Sequence, residues 1–231
     1  MPLRRFIVLC MLLGVCIFGW TRWHQPSSSQ HAGGMPAPAI SKQPVTFATR
    51  TFDPTAPPAD MPPLSPGEEA ECVSNFQSEA TVGGQSRRSG ATHAIVTITQ
   101  VKVALALDIT IWVPGAVTSH VIDHEQGHRQ IAEYYYQTAD QVAERVAAPY
   151  MGKQVEITGT DLQAEFNKLL QQMGAEITDE YSKELNPDAA QLRYDFITDH
   201  SRSDVVAGDA VAQVIRNLTL TSTQPSAIPG N

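Results

Sequence analysis

The sequence is poor in cysteine, and two of its three cysteines lie close together. Cys10 and Cys16 fall in an apolar segment at the start, so Cys72 is the only thiol in the rest of the chain. No disulfide can form within that remainder, and a zinc site built from several cysteines is excluded. The fold must therefore rest on an apolar core without covalent cross-links.

Positive charge is also scarce. The chain has 16 Lys and Arg against 24 Asp and Glu, a formal net charge of −8. Arg4, Arg5 and Arg22 flank the apolar segment, so residues 24–231 hold 13 basic and 24 acidic side chains, a charge of −11. A surface of this sign repels phosphate, and we expect no nucleic-acid partner.

Composition divides the chain into four parts. Residues 1–23 carry a 15-residue apolar run behind two Arg, which predicts a signal or membrane anchor with the rest of the protein in the cell envelope, facing the periplasm or exported. Residues 24–66 hold ten of the 16 Pro and predict an extended tether. Residues 67–218 are long enough for one core, and residues 219–231 are predicted to form a polar, disordered tail.

The period of the apolar residues changes within residues 67–218. Every second residue over 101–113 is apolar, which predicts a long half-buried strand, with a partner strand over 94–99. A helical stripe follows over 117–146, and three further helices are expected after it. The predicted fold is α+β, with a small twisted sheet, a long strand before the first helix, and further helices toward the C terminus.

The first predicted helix contains an H-E-x-x-H motif, His124-Glu125-Gln126-Gly127-His128. Residues four apart on a helix share one face, with Cβ atoms about 5 to 6 Å apart, so both imidazoles can bind one zinc ion. Glu125 lies beside them and can take a proton from zinc-bound water, then give it to the leaving amine. The motif predicts a zinc metallopeptidase acting on a peptide or protein substrate.

The residues after the motif narrow the class of zinc peptidase. Ile131 and Tyr134 stand where a metzincin has Gly and His, so that class is excluded. Gluzincins take their third ligand from a Glu in an N-E-x-x-S-D segment. Glu180 matches it in part, with Ser182 one position early, so Glu180 stays a candidate.

The chain resembles the domain of unknown function 922 family, predicted secreted zinc-dependent proteases of bacteria. The likeness rests on the long alternating strand, on the motif with Ile131-Ala132-Glu133 after it, and on residues 194–200, which are similar to the family's Y-D-x-x-T-x-H-G element. Ser201 stands where that element has Gly. The resemblance implies a zincin-like fold and metallopeptidase activity.

The same segment supplies the remaining candidate site residues. His200 is the first choice for the third zinc ligand, since an imidazole completes a His-rich site. Asp195 is the alternative, either as a ligand, as in zincins with a third Asp, or as a carboxylate that orients an imidazole. Tyr194 is a candidate donor to the developing oxyanion, although its helical spacing with Ile197 also suits a core aromatic.

Two alternatives stay open at this point. The strand over 101–113 is either an edge to which an extended substrate adds, or an interior strand covered by helices. The domain itself is either a peptidase, a cell-wall peptide amidase, or a non-catalytic module that binds a metal or an envelope partner. A fourth protein ligand in the water position would mark the non-catalytic module.

Overall fold

The fold combines one five-stranded sheet with five α-helices, in a computed structural model that describes residues 36–64 and 67–222, without the side chains of 218–222. The predicted anchor over 1–23 lies outside the described residues. In chain order the elements are β1 (Ala39–Lys42), β2 (Thr46–Phe52), β3 (Glu71–Arg88), β4 (His93–Pro114), α1 (Ser119–Gln137), α2 (Ala139–Ala147), a 3₁₀ turn (Ala148–Tyr150), β5 (Gln154–Thr158), α3 (Leu162–Glu184), α4 (Asp188–Thr198) and α5 (Ala207–Ser222).

Strand β4 contains both of the predicted strands, 94–99 and 101–113, as one element. Its buried side chains change from even to odd positions across Thr99 and Gln100, which are both exposed. The register with β3 shifts at this point, between Gly83 and Gly84. A β-bulge therefore produces the break in alternation that made one strand look like two.

Strand β4 lies in the interior of the sheet. Strand β3 pairs with it antiparallel along nearly its whole length, while β1 and β2 pair with it parallel and β5 antiparallel. Of the two alternatives for residues 101–113, the interior strand is confirmed. Within the described part of the chain β3 pairs only with β4, so no strand pairs with the other edge of β3.

Strands β1 and β2 lie within the predicted tether over 24–66, and the structure differs from the prediction there. Both strands add to β4 through backbone pairing, and every residue of β2 except Phe52 is exposed. A strand with so few buried side chains needs no apolar alternation, so its sequence resembles that of a linker. These strands belong to the folded domain.

The helices follow the predicted order with changes at their ends. The helix predicted over 117–146 is two helices, α1 and α2, separated at Thr138. Helix α3 is capped by Asp161, whose carboxylate accepts from the N–H groups of Gln163 and Ala164. Helix α5 continues to Ser222, into the predicted tail. No helix among the described residues is long and apolar enough to cross a membrane.

Two small apolar clusters hold the outer elements against α1 and β4. The first joins α1, α4 and α5 through Ile131, Ala190, Tyr194, Ala210, Val211 and Val214. The second joins the segment before β3 to the end of β4 and the start of α1 through Ala70, Ile111, Val113 and Val121. These clusters fix the positions of residues 68 and 195 relative to the motif helix.

A substitution at Gly174 tests the packing of α3 on β3. Alanine stabilises a helix interior by about 1 kcal/mol over glycine, but a Cβ at Gly174 would lie 2.6 Å from the carbonyl oxygen of Ala80. We expect Gly174→Ala to lower the free energy of unfolding by about 1 to 3 kcal/mol, the usual cost of overpacking. Gly208→Ala is the control, because nothing lies within 4 Å of its added Cβ. Equal denaturation midpoints for the two variants would contradict this packing.

Candidate metal centre

The motif residues lie on the buried face of α1. His124 and Glu125 are each 1% exposed, and the Nε2 atoms of His124 and His128 lie 3.2 Å apart. The helical spacing therefore brings both imidazoles together as the sequence predicts. The third candidate ligand depends on the element that packs across this face.

That element is α4, whose Tyr194 is fully buried against the motif. Its ring lies 5.0 Å from that of His124 and 4.8 Å from that of His128, between ring centroids. Its hydroxyl donates to the carbonyl oxygen of His124 at 3.0 Å. A Cβ at Gly127 would lie 2.0 Å from that hydroxyl oxygen, so only glycine lets α4 approach α1 this closely.

This contact changes the role expected for Tyr194. Its hydroxyl is bonded to the main chain of α1, and burial raises the pKa of the phenol. The group is therefore not free to donate to a substrate oxyanion. We assign Tyr194 a positioning role, as the core aromatic that the alternative interpretation described.

Asp195, the next residue of α4, reaches the two imidazoles. Its Oδ1 lies 2.8 Å from Nε2 of His128 and 3.6 Å from Nε2 of His124. Ligand atoms of a tetrahedral zinc, each about 2.0 to 2.2 Å from the ion, lie roughly 3.3 to 3.6 Å from one another. The three separations are comparable with this value, so His124, His128 and Asp195 lie close enough to hold one metal ion.

His200 lies in a turn after α4 and contacts a different residue. Its Nδ1 is 2.6 Å from Oε1 of Glu68 and is hydrogen-bonded to it. His200 is absent from the group formed by His124, His128 and Asp195. Glu180 of α3 belongs to no metal-competent group in the described part of the chain. The structure thus brings the alternative ligand Asp195, and neither of the other two candidates, to both imidazoles.

Glu68 is the site residue that the sequence analysis missed. Its side chain is 6% exposed, and its Oε2 lies 3.7 Å from Nε2 of His124. It forms metal-competent groups with His124 and Glu125, and with Asp195 and His200. Glu68 is in an irregular segment next to the predicted tether, where neither a motif nor a period marks it.

Gln191 of α4 orients the second imidazole. Its Oε1 accepts from Nδ1 of His128 at 2.7 Å, and its Nε2 donates to the carbonyl oxygen of His128 at 3.2 Å. With its proton assigned to Nδ1 by this bond, His128 presents the lone pair of Nε2 to the centre. Such outer partners fix the ring orientation of metal-binding histidines.

Several buried polar atoms at the centre have no hydrogen-bond partner. They are Oε2 of Glu68, Nδ1 of His124 and Oε1 of Glu125. Burying carboxylate oxygens without partners is costly in free energy, and a cation among them removes much of that cost. The donor set of imidazole and carboxylate groups therefore fits a divalent metal ion.

Electrostatics of the metal-free centre favour bound protons. Burial lowers the pKa of His128, but the carboxylates of Asp195 and Glu125 outweigh it and raise the pKa to about 9. Burial raises the pKa of Glu125 to about 8. Without a metal, the buried carboxylates therefore favour a proton on the His128 imidazole at neutral pH.

A cavity of about 250 Å³ opens beside the centre. Its lining includes Glu125, His128 and Asp195 together with Cys72 and Ser74 of β3. Burial and the nearby Glu125 raise the pKa of the Cys72 thiol to about 12, so the free thiol stays protonated. Cys72 belongs to no metal-competent group among the described residues. The cavity extends from the residues of the motif to one end of β3.

No protein-family model matches this chain, and neither does any curated protein or solved structure compared with it. The similarity of residues 194–200 to the family element stays a prediction from sequence. The family element has Gly at the position of Ser201. Ser201 has a φ of 63°, in the left-handed region that glycine favours.

The ligand assignment predicts unequal losses of metal affinity. Asp195→Ala removes a ligand atom, and we expect the dissociation constant for Zn²⁺ to rise by more than about 100-fold. His200→Ala removes an outer partner, and the rise should stay within the roughly 10- to 100-fold typical of such contacts. Competition with a chromophoric chelator measures both constants. A larger loss in His200→Ala would instead make His200 the third ligand.

Metal uptake should also release protons. The imidazole of His128 has a pKa of about 9, so it is protonated at pH 7. An imidazole that binds a metal ion must be neutral. We expect at least one proton to leave per Zn²⁺ bound at pH 7, and fewer as the pH passes 9. Titration calorimetry in buffers of different ionisation enthalpy measures this number. Uptake without proton release at pH 7 would contradict the assigned charge state.

Proposed function

We propose that this protein is a zinc metallopeptidase that hydrolyses peptide bonds in the bacterial cell envelope. One observation carries the proposal. The metal-competent group of His124, His128 and Asp195 lies beside the buried carboxylate of Glu125, at the wall of an open cavity. Three protein ligands with an adjacent carboxylate are the arrangement of a catalytic zinc site.

Each ligand of the proposed zinc site has a support in the fold. Gln191 orients His128, and the Tyr194 hydroxyl fixes the backbone of α1 at His124. Asp195 comes from the same turn of α4 as Tyr194, so one packing contact positions it. A zinc ion, when bound, supplies a Lewis acid that lowers the pKa of water to about 7.

Glu125 performs the proton transfers in this mechanism. Its carboxylate accepts a proton from the attacking water as the water oxygen bonds to the peptide carbonyl carbon. It then donates that proton to the leaving nitrogen as the C–N bond breaks. Its buried Oε1 has no hydrogen-bond partner and is therefore free for this role.

The outer edge of β3 supports an extended peptide as substrate. The N–H of Ala80 donates to Oγ1 of Thr178 and so points away from β4. Backbone groups of alternate residues point the same way in an antiparallel strand, so those of Cys72 and Ser74 also face outward, at the cavity. A peptide that adds to this edge would pass the catalytic carboxylate.

We also propose that the fold is zincin-like and that the protein is located in the cell envelope. The order of a long strand, the motif helix and a later helix with the third ligand supports the likeness to the domain of unknown function 922 family. The anchor predicted over 1–23 supports a membrane-attached protein that faces the periplasm or an exported one. The acidic charge of residues 24–231 supports a peptide substrate over nucleic acid.

Glu68 favours a second candidate function, a non-catalytic metal-binding module. Its carboxylate lies next to the three proposed ligands, and a fourth protein ligand is typical of structural zinc sites. Peptide hydrolysis distinguishes the two candidates.

Substitution of Glu125 tests the peptidase. We expect Glu125→Gln in the full chain to keep bound Zn²⁺ while its cleavage of a denatured protein falls by about 100- to 10,000-fold, because the base is lost. Glu133→Gln is the matched control on the same helix, where Glu133 pairs with Arg129 at 2.7 Å. Cleavage and metal content are measured on the same samples. Undiminished cleavage by zinc-loaded Glu125→Gln protein would refute the mechanism.

A further inference from the structure

Glu68 is directed into the metal centre with one oxygen held and the other unpaired. Its Oε1 is hydrogen-bonded to Nδ1 of His200 at 2.6 Å. Its Oε2 is buried without a hydrogen-bond partner and lies 3.7 Å from Nε2 of His124. With 6% of its side chain exposed, Glu68 has little contact with solvent. Such an oxygen is suited to a cation.

This oxygen lies close to the carboxylate that would deprotonate the reactive water. The carboxylate oxygens of Glu68 and Glu125 and a ring nitrogen of His124 lie within 4.8 Å of one another. A water that Glu125 deprotonates must lie between that carboxylate and the metal ligands. Glu68 therefore competes with water for the fourth position of a tetrahedral ion.

His200 holds Glu68 in this position. The imidazole lies in a turn in which Asp199, His200 and Ser201 have φ values of 46°, 54° and 63°. Left-handed backbone is strained in residues other than glycine. The surrounding fold therefore fixes a strained turn at the point where His200 meets Glu68, and outer partners of this kind orient ligating carboxylates.

Charge balance agrees with Glu68 as a ligand. Two neutral imidazoles and one carboxylate leave a divalent ion with one net positive charge. A second carboxylate, that of Glu68, makes the centre neutral in a largely buried site, which lowers the cost of burial.

We propose that Glu68 is a fourth metal ligand that closes the centre, held by His200, and that hydrolysis begins when water replaces the Glu68 carboxylate. The proposal rests on the proposed function, because it describes how the same centre is regulated. It also explains why a catalytic motif and a fourth protein group able to bind the metal occur at the same site. Glu68 then acts as an autoinhibitory contact that limits the activity of the resting protein.

The coordination of a cobalt-substituted protein tests this contact without reference to activity. Azide binds an open position on Co²⁺ and changes its visible absorption. The full chain, Glu68→Gln and Glu69→Gln are each loaded with Co²⁺ and titrated with azide. Glu69 is the matched control, since it is the exposed neighbour of Glu68. His200→Ala is a second variant that releases Glu68 without changing it, in case Glu68→Gln fails to fold.

We expect azide to bind Glu68→Gln at least tenfold more tightly than it binds the wild type or Glu69→Gln, with His200→Ala between them. The zinc-loaded Glu68→Gln protein should cleave a denatured protein at least tenfold faster than the wild type. Equal azide affinity in wild type and Glu68→Gln would overturn the proposal, as would failure of the wild type to bind Co²⁺. An open site in Glu68→Gln without any cleavage would retain Glu68 as a ligand, refute its inhibitory role, and reject the peptidase.

Discussion

The contact between Tyr194 and Gly127 is the constraint on which the centre depends. The absence of a side chain at Gly127 lets the phenol lie on the two imidazoles and bond to the backbone of His124. This contact sets the distance between α1 and α4, and thereby places Asp195 and Gln191 within contact distance of the imidazoles. Without it the motif helix would present two histidines and a glutamate, with neither a third ligand nor an oriented imidazole.

A second constraint comes from the charges that this packing buries. Glu68, Glu125 and Asp195 surround two imidazoles, and one polar atom each of Glu68, Glu125 and His124 has no hydrogen-bond partner. Buried groups of this kind are costly unless a cation or protons balance them, which explains the raised pKa values of His128 and Glu125. The same charges that make the metal-free state costly suit the centre to a divalent ion.

The sequence predicted the α+β class and the long strand, because both depend on local periodicity. It divided β4 in two because a bulge reverses the side-chain alternation at Thr99 and Gln100. It assigned β1 and β2 to a tether because parallel pairing with β4 buries almost none of β2. Strand β3 was missed since its inward residues include small polar ones such as Ser74 and Ser78, which leave no apolar pattern.

By itself the sequence determined the shared face of His124, Glu125 and His128, since the pitch of a helix sets the spacing of residues four apart. It also restricted the third ligand to a few residues, with Asp195 among them. Only the tertiary structure brought Asp195 to both imidazoles, and Glu68 to His200 across 132 positions of chain. Contacts between distant segments depend on how β3, α1 and α4 pack, and no local pattern in the sequence encodes those distances.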